Sequence, residues 1–333
     1  MKHYLKLIRP YGILFLGFTP VFGAIANGEF SFSHLTILLT IGILAHIFTF
    51  VQNDYYDVEI DRKSKYVSNR PLVTGNISQK TVISIFLSSF IIALILAIVF
   101  FFTFYSFAML LLSFLFITLY NKYSKQFFGM EYILSAGVFT YGIFGALTVS
   151  NNISTLAILI SATGFMQWLF SVGISANLKD VEFDSKLDIR TTPAAFGVQV
   201  SDKKLMIPLS FSLYTFILKI IHILIISSPF LLGYTSIFLY DLPIPGICFL
   251  TISILLLYLT SKILSTPIPK RDKMLIYIGL QEGLALLLTP IALMSYLTEN
   301  ISILATFLLI MLFIFWPLFC FRMLFGKRMI PLE

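Results

Sequence analysis

Ten long apolar runs divide this chain, and they constrain its fold more than any other feature of the sequence. An α-helix of about 20 residues, rising about 1.5 Å per residue, crosses the hydrocarbon core of a bilayer, which is about 30 Å thick. The stretch 229–241 is also apolar, but it is too short and too closely bounded by prolines to predict a span. The runs therefore predict ten membrane-spanning helices, near residues 11–28, 35–52, 82–103, 104–121, 132–150, 154–176, 206–228, 245–263, 274–297 and 301–323.

The composition agrees with a polytopic membrane protein. Hydrophobic residues make up 58% of the 333 residues, and charged residues make up only 12%. The strands of a transmembrane β-barrel alternate apolar and polar side chains over about ten residues, whereas these runs are apolar throughout. We therefore expect an all-α fold. His3 and Arg9 precede the first run and no small-residue cleavage pattern follows it, so we expect no cleavable signal sequence.

Basic residues predict the orientation, because lysines and arginines near the ends of spans are retained on the cytoplasmic side. All but one of the 23 lysines and arginines fall in, or within two residues of, the N-terminal tail, the loops after the second, fourth, sixth and eighth runs, or the C-terminal tail. The exception is Lys219, inside the seventh run. We expect an integral, multi-pass protein of the cell membrane whose N-terminus and basic loops are cytoplasmic. The net charge of +7 then reflects contact with anionic membrane lipids and requires no nucleic-acid partner.

The first of two acidic clusters directly continues the second run. On a helix, Asn53, Asp57 and Asp61 recur every four residues, so their side-chain oxygens lie along one face. Acidic side chains that share a face near a membrane repel one another, and a cation between them removes that cost. Oxygen ligands of this kind suit Mg²⁺, which completes its octahedral shell with water and phosphate oxygens.

The second acidic cluster follows the sixth run and repeats the four-residue spacing with Asp180, Asp184 and Asp188. Both clusters belong to loops on the same predicted side of the membrane, so they can face each other across one cavity. Two such stripes could hold metal ions against a diphosphate, whose own negative charge would otherwise oppose its approach. The basic residues that could contact this ligand are Arg70, Lys125, Lys179 and Arg190.

These residues resemble the motifs of the UbiA superfamily of intramembrane prenyltransferases. The residues that match its first motif, NDxxDxxxD, and the arginine–proline pair after it are Asn53, Asp54, Asp57, Asp61 and Arg70-Pro71. The residues that match its second motif, DxxxD, and the basic–threonine segment and glycine after it are Asp180, Asp184, Arg190-Thr191-Thr192 and Gly197. Smaller similarities are Leu7-Ile8-Arg9-Pro10 before the first run, and Leu119-Tyr120 with Lys125 five residues later.

The resemblance extends over residues 4–200 and implies nine spanning helices around a central cavity, capped by the loops that carry both motifs. Residues 201–333 add further transmembrane helices, and we expect a single transmembrane prenyltransferase domain over residues 1–333. The tenth run departs from the family pattern: either one C-terminal run is not a separate span, or the chain carries an extra helix. Asp188 is a second departure, because the family often has glycine at that position.

The resemblance also implies an enzyme that transfers a polyprenyl group from its diphosphate to a lipophilic acceptor in the membrane. Mg²⁺, for which Mn²⁺ would substitute, would be bound by Asn53, Asp57 and Asp61 and, at a second position, by Asp180 and Asp184. The catalytic residues would be Asp57, Asp184 and Lys125. The residues implied for the diphosphate are Arg9, Arg70, Tyr120, Lys125, Lys179 and Arg190.

The sequence gives two conflicting indications of the acceptor, with geranylgeranylglyceryl phosphate as the first expectation and an aromatic quinone precursor of the 4-hydroxybenzoate or homogentisate type as the alternative. Segment 179–184 lacks the acidic pair of 4-hydroxybenzoate enzymes, and it is more similar to members that use lipids, such as geranylgeranylglyceryl phosphate, or homogentisate. The 17-residue step from Asn53 to Arg70 is more similar to quinone-type enzymes, which favours an aromatic acceptor, a quinone or chlorin precursor.

A cation-coupled transporter is the alternative of a different class. Such a protein would carry acidic residues deep in its spans, where this chain has only Lys219 and Glu282 as charged residues. These two residues could pair with each other, reach towards the membrane surface or face the cavity. Because both acidic clusters lie at loop level instead, the sequence favours an enzyme.

Overall fold

The computed structural model of the chain describes residues 2–64, 66–187, 189–201, 204–267 and 270–326. Within these ranges, ten helical segments are long and apolar enough to cross a membrane. They are Lys2–Ala26, Phe32–Asp61, Gln79–Phe101, Phe104–Tyr123, Met130–Leu147, Thr155–Leu187, Leu209–Leu231, Ile244–Ser265, Arg271–Ala292 and Ile303–Phe325. The predicted all-α, polytopic membrane fold is confirmed, and the tenth apolar run forms a helix of its own.

Several spans consist of shorter helices in sequence. The helices are α1 (Lys2–Ile8), α2 (Ile13–Gly17), α3 (Thr19–Ala26), α4 (Phe32–Asp61), α5 (Gln79–Phe101), α6 (Phe104–Tyr123), α7 (Met130–Leu147), α8 (Thr155–Phe170), α9 (Asn177–Asp184), α10 (Thr192–Ala195), α11 (Leu209–Leu231), α12 (Ile244–Ser265), α13 (Arg271–Ala292), α14 (Met294–Asn300) and α15 (Ile303–Phe325). Tighter 3-10 turns follow α1 and α9, at Pro10–Gly12 and Ser185–Leu187. A wider π-helical segment, Ser171–Ala176, joins α8 to α9, and a short hairpin pairs β1 (Gln199–Ser201) with β2 (Lys204–Met206).

Side-chain caps decide where two long helices begin within nearly continuous apolar sequence. The Ser78 hydroxyl accepts a hydrogen bond from the backbone N–H of Thr81 at 3.1 Å at the start of α5. Thr103 and Ser106 cap each other's backbone at the start of α6. These bonds satisfy N–H groups that have no partner within the first helical turn. The apolar sequence from 82 to 121 therefore forms two helices rather than one.

The chain forms two compact units. The first consists of Met1–Ser124, Ala136–Ser161 and Trp316–Glu333, and the second of Lys125–Ser135 and Ala162–Phe315. The expectation of a single domain over residues 1–333 stays a prediction.

In the first unit, α4 is the central helix and packs against α2, α3, α5 and α6. Glycine allows two of the closest approaches between backbones. A Cβ atom on Gly42 would lie 2.1 Å from the carbonyl oxygen of Gly17, and one on Gly145 would lie 1.9 Å from that of Pro20. Small residues commonly let helix backbones approach closely in membranes. This packing holds α4 in place. The C-terminal turns of α4 carry the first acidic stripe, which consists of Asn53, Asp54, Asp57 and Asp61.

In the second unit, the continuous path from α8 through the π-helical segment to α9 lies in the core. Its buried side chains pack with residues of α11 and α12. The members of this core are Met166, Leu169, Phe170, Ile174, Leu178, Val181, Val198, Phe211, Leu218 and Ile263. Helix α13 packs against α12, α11 and α9. The second acidic stripe, on α9, is therefore supported on one side by apolar packing.

Candidate active site

The first acidic stripe lies on the last turns of α4, which continue the spanning helix without a break from Phe32 to Asp61. Its three carboxylates are more deeply buried than those of surface residues: Asp54 is 3% exposed, Asp57 8% and Asp61 7%. The Asn53 amide donates to Asp57 Oδ2 at 3.2 Å, as their four-residue spacing predicts. Buried carboxylates are stable only beside compensating positive charge.

Two arginines supply that charge to the first stripe. Arg70 Nη1 donates to Asp61 Oδ2 at 2.6 Å and to Asp54 Oδ1 at 3.2 Å. Arg9 Nη2 donates to the same Asp54 oxygen. Burial disfavours the charged guanidinium of Arg70, but the carboxylates of Asp54, Asp61 and Asp57 outweigh it and raise its pKa. Arg70 is therefore held in its cationic form beside these carboxylates.

A local backbone feature directs Arg9 towards the stripe. Arg9 has a left-handed backbone conformation with φ +48° and precedes Pro10, and α1 ends just before it. A residue before proline is disfavoured in the helical region, so the chain turns here. The buried ring of His46 lies within hydrogen-bonding distance of the carbonyl oxygens of Ile8 and Arg9, at 2.9 and 3.2 Å, and fixes this turn against α4.

The second acidic stripe lies on α9 in the second unit. Asp184 is buried, with 2% of its surface exposed. Asp180 Oδ1 accepts a hydrogen bond from Arg271 Nη2 at 2.9 Å, and Asp180 Oδ2 lies 3.8 Å from Lys179 Nζ. Arg271 also donates to the carbonyl oxygen of Lys179, and the charge of Lys125 acts on the Asp180 carboxylate. The structure thus groups Lys125 and Lys179 with Asp180.

Three predicted residues, Tyr120, Arg190 and Asp188, remain to be placed. Tyr120 is partly buried on α6, and its neighbour Asn121 donates to the Thr49 carbonyl oxygen at 3.0 Å and to Gln52 Oε1 at 2.9 Å, both on α4. Arg190 is exposed in the segment after α9. Asp188 lies outside the described residues, and its role stays a prediction.

Sequence reasoning missed two features of these clusters. Arg271, at the start of α13, lies beyond the part of the chain that carries the family motifs. The one available signal was topological, because residue 271 belongs to the loop after the eighth run, on the same predicted side as both stripes. Asp54 was recognised as part of the motif but not as the carboxylate shared by Arg9 and Arg70.

The donor chemistry of each stripe fits a hard divalent cation that is bound together with phosphate. Across the described ranges, no three His, Cys, Asp or Glu side chains lie close enough together to form a protein-only metal cage. Mg²⁺ does not need such a cage, because it commonly takes one or two carboxylates and completes its shell with water and substrate phosphates. Asn53, Asp57 and Asp61 offer oxygen atoms on the first stripe, and Asp180 and Asp184 offer them on the second.

Fold and sequence together define the class of this protein. It is a polytopic helical membrane protein with two acidic stripes that carry the motifs. The sequence profile of the UbiA prenyltransferase family matches residues 14–266, which is most of the chain. The chain belongs to this family and is a prenyltransferase. A similar curated protein is a 4-hydroxybenzoate octaprenyltransferase of Francisella tularensis subsp. novicida, 27% identical over 201 residues, or 59% of this chain and 69% of that protein.

Solved structures share the fold. A UbiA homologue from Archaeoglobus fulgidus bound to GPP and Mg²⁺ is 18% identical, with a TM-score of 0.59, over 86% of this chain and 99% of that one. A digeranylgeranylglyceryl phosphate synthase is 19% identical, with a TM-score of 0.60, over 86% of this chain and 96% of that one. At these identities the likeness extends to the fold, and the predicted architecture of spanning helices agrees with it.

Proposed function

We propose that this protein transfers a prenyl group from a prenyl diphosphate to a lipophilic acceptor with the help of divalent cations. One observation carries the proposal: in both stripes, acidic side chains at the end of a spanning segment lie beside cationic ones. Arg70 contacts Asp61 at 2.6 Å, and Arg271 contacts Asp180 at 2.9 Å. Alternating charge of this kind suits a metal–diphosphate complex, which itself presents both signs of charge.

The proposal gives each predicted residue a role. Asn53, Asp57 and Asp61 hold one cation, and Asp180 and Asp184 hold the other. Mg²⁺ is the expected ion, and Mn²⁺ has similar hard-ligand preferences. Cationic and phenolic side chains bind the diphosphate oxygens, and these are Arg9, Arg70, Tyr120, Lys125, Lys179 and Arg190. Among these residues, Lys125 contacts the leaving diphosphate.

The reaction breaks the bond between the allylic carbon and the diphosphate oxygen, and the electron pair leaves with the diphosphate. A new bond then forms from the acceptor's nucleophilic atom to that carbon, and the acceptor loses a proton. Bound divalent cations would neutralise the charge that grows on the leaving oxygens. The apolar side chains of the spanning helices exclude water, which would otherwise capture the carbocation.

The favoured acceptor is an aromatic ring of the 4-hydroxybenzoate type. The similarity to 4-hydroxybenzoate octaprenyltransferases over 201 residues supports it, as does the 17-residue step from Asn53 to Arg70. Geranylgeranylglyceryl phosphate is the second candidate, because segment 179–184 lacks the acidic pair of the 4-hydroxybenzoate enzymes.

The deciding experiment supplies the purified protein, in lipid, with labelled geranylgeranyl diphosphate and Mg²⁺. Separate reactions contain 4-hydroxybenzoate, homogentisate or geranylgeranylglyceryl phosphate, and the prenylated product is identified by mass. We expect transfer to one acceptor class and little to the other. No product with any acceptor, together with cation-driven flux in sealed vesicles, would instead establish a transporter.

A further inference from the structure

A ring of polar side chains lies inside the apolar core of the second unit. Lys219 on α11 is fully buried, and its Nζ donates to Gln167 Oε1 on α8 at 3.2 Å. Gln167 Nε2 in turn donates to Glu282 Oε2 on α13 at 2.6 Å. The Lys219 ammonium also lies 3.8 Å from the centre of the Phe170 ring. The two mid-span charges are therefore joined through an amide.

A second amide closes the ring. With the Gln281 side chain oriented so that its oxygen faces Lys219, that oxygen accepts from Nζ at 2.6 Å and its nitrogen donates to Glu282 Oε1 at 3.1 Å. Charges at this depth are costly in a membrane protein and commonly serve a function. Neither Lys219 nor Glu282 belongs to either acidic stripe, so another role must account for them.

The ring adjoins the π-helical segment that precedes the second stripe. A π-helical turn holds more residues than an α-helical turn and thus rotates everything that follows it. Here Ser171–Ala176 determines the direction in which Asp180 and Asp184 point from the helix. The Glu282 carboxylate lies beside Ser171 and Ser175 of this segment. On another side, a Cβ atom on Gly173 would lie 3.2 Å from Glu131 Cγ.

Helix α13 contacts the continuous helical segment from α8 to α9 at two points. Arg271 contacts Asp180 at one end, and Glu282 contacts Gln167 at the other. Eleven residues of α-helix make about three turns, so Arg271 and Glu282 lie on one face, about 16 Å apart along the axis. The facing segment from Gln167 to Asp180 is two residues longer, and as a plain α-helix it would be about 3 Å longer. The π-helical segment Ser171–Ala176 lies within this longer stretch.

We propose that the bond between Gln167 and Glu282 holds the π-helical segment and so fixes the rotation of Asp180 and Asp184. Glu282 is a positioning residue, Lys219 balances its charge, and Gln281 donates a hydrogen bond to its carboxylate. The inference rests on the proposed function, because it takes Asp180 and Asp184 as ligands of a divalent cation.

Two double variants distinguish the effect of the Gln167–Glu282 hydrogen bond from the effect of the buried charges. Lys219→Met with Glu282→Gln removes both charges but keeps an acceptor for Gln167. Lys219→Met with Glu282→Leu removes both charges and the acceptor. Thr215→Val is the matched control for loss of a buried polar group on α11, where the Thr215 hydroxyl donates within its own helix to the Phe211 carbonyl oxygen at 2.8 Å.

Two measurements are made on each protein in detergent. One is the Mg²⁺ concentration that gives half-maximal transfer. The other is the rise in thermal midpoint caused by Mg²⁺ with an unreactive prenyl thiodiphosphate, which reports binding without turnover. We expect the Glu282→Leu double variant to need at least about tenfold more Mg²⁺ and to lose most of the thermal rise, the scale seen when residues that orient metal ligands are lost. The Glu282→Gln double variant and Thr215→Val should stay close to wild type.

Equal Mg²⁺ requirements in the two double variants would overturn the inference. Should the Glu282→Leu double variant fail to fold, Gln167→Leu replaces it with the same expectation, because Gln281 still bridges the two charges. A wild-type protein that transfers prenyl groups without any divalent cation would overturn the proposed function instead. The two failures are therefore distinguishable.

Discussion

Arg70 Nη1 lies 2.6 Å from Asp61 Oδ2, so a loop arginine neutralises the last carboxylate of the first acidic stripe. The same nitrogen reaches Asp54, two helical turns earlier on α4. The Arg70 guanidinium therefore links the loop after α4 to the C-terminal end of α4, which carries the first motif. This contact has a structural role that can be measured apart from catalysis.

Arg70→Gln should lower the free energy of unfolding by about 3–5 kcal/mol, because it removes the guanidinium that contacts the buried Asp61 carboxylate. Arg62→Gln is the control: Arg62 contacts Glu59 at 2.8 Å, but the two side chains are 50% and 70% exposed. Exposed pairs contribute about 0–1 kcal/mol. Thermal unfolding in detergent measures both variants. Similar small losses in the two would contradict the role of Arg70 as a buried counter-ion.

Asp57→Asn and Asp184→Asn should each abolish detectable prenyl transfer while the protein stays folded. Asparagine has the same shape as aspartate but lacks the negative charge that a cation needs. Transfer assays and size-exclusion profiles are compared with those of Glu59→Gln, a change at an exposed acid on the same helix. Aggregation of the two variants, rather than inactivity of a folded protein, would indicate a structural role for these carboxylates.

Lys125→Gln should reduce turnover by roughly 10²-fold, the scale of losing one well-placed group that stabilises transition-state charge. Lys122→Gln provides the baseline, because Lys122 is exposed and lies 5.0 Å from the centre of the Tyr123 ring. Both changes remove one charge from the same predicted loop, so membrane orientation should be unaffected. Equal and small losses would mean that Lys125 only helps to orient the chain in the membrane.

Chelation should stop transfer completely. The proposed ligands are hard oxygen atoms, so excess EDTA should abolish product formation, and Mg²⁺ or Mn²⁺ should restore it. Product is measured before chelation, after chelation and after addition of each ion. Full turnover in excess EDTA would exclude the cation-dependent reaction.

Thiol labelling should establish the predicted sidedness. In a background without Cys248 and Cys320, we expect Lys63→Cys to be protected from a membrane-impermeant reagent in intact cells and Glu299→Cys to react. Both positions are exposed in the structure, so accessibility does not limit the reaction. Labelling after cell lysis should make the two positions equally reactive. The reverse pattern in intact cells would invert the orientation drawn from the basic loops.

Local sequence signals predicted the helices and the motifs. Hydropathy over about 20 residues is sufficient to predict a spanning helix, because the bilayer demands that every backbone group be paired within the segment. The four-residue spacing likewise predicted that Asn53 and Asp57 share a face, and the structure joins them at 3.2 Å. The assignment of these residues to metal and diphosphate stays a prediction.

Only the tertiary structure decided which distant residues meet. Arg271 contacts Asp180 across 91 residues of sequence, and Gln167 contacts Glu282 across 115. No local periodicity encodes such pairs, because side-chain contacts between helices depend on how the helices pack. The π-helical segment Ser171–Ala176, at the end of the sixth apolar run, was not predicted either, because hydropathy does not distinguish a π-helical turn from an α-helical one. The sequence by itself determined the spans and the spacing of the acids along each helix. The tertiary structure decided which arginines and lysines lie beside those acids. The physical reason is that a buried carboxylate is stable only beside a positive charge, and the fold can bring that charge from any part of the chain.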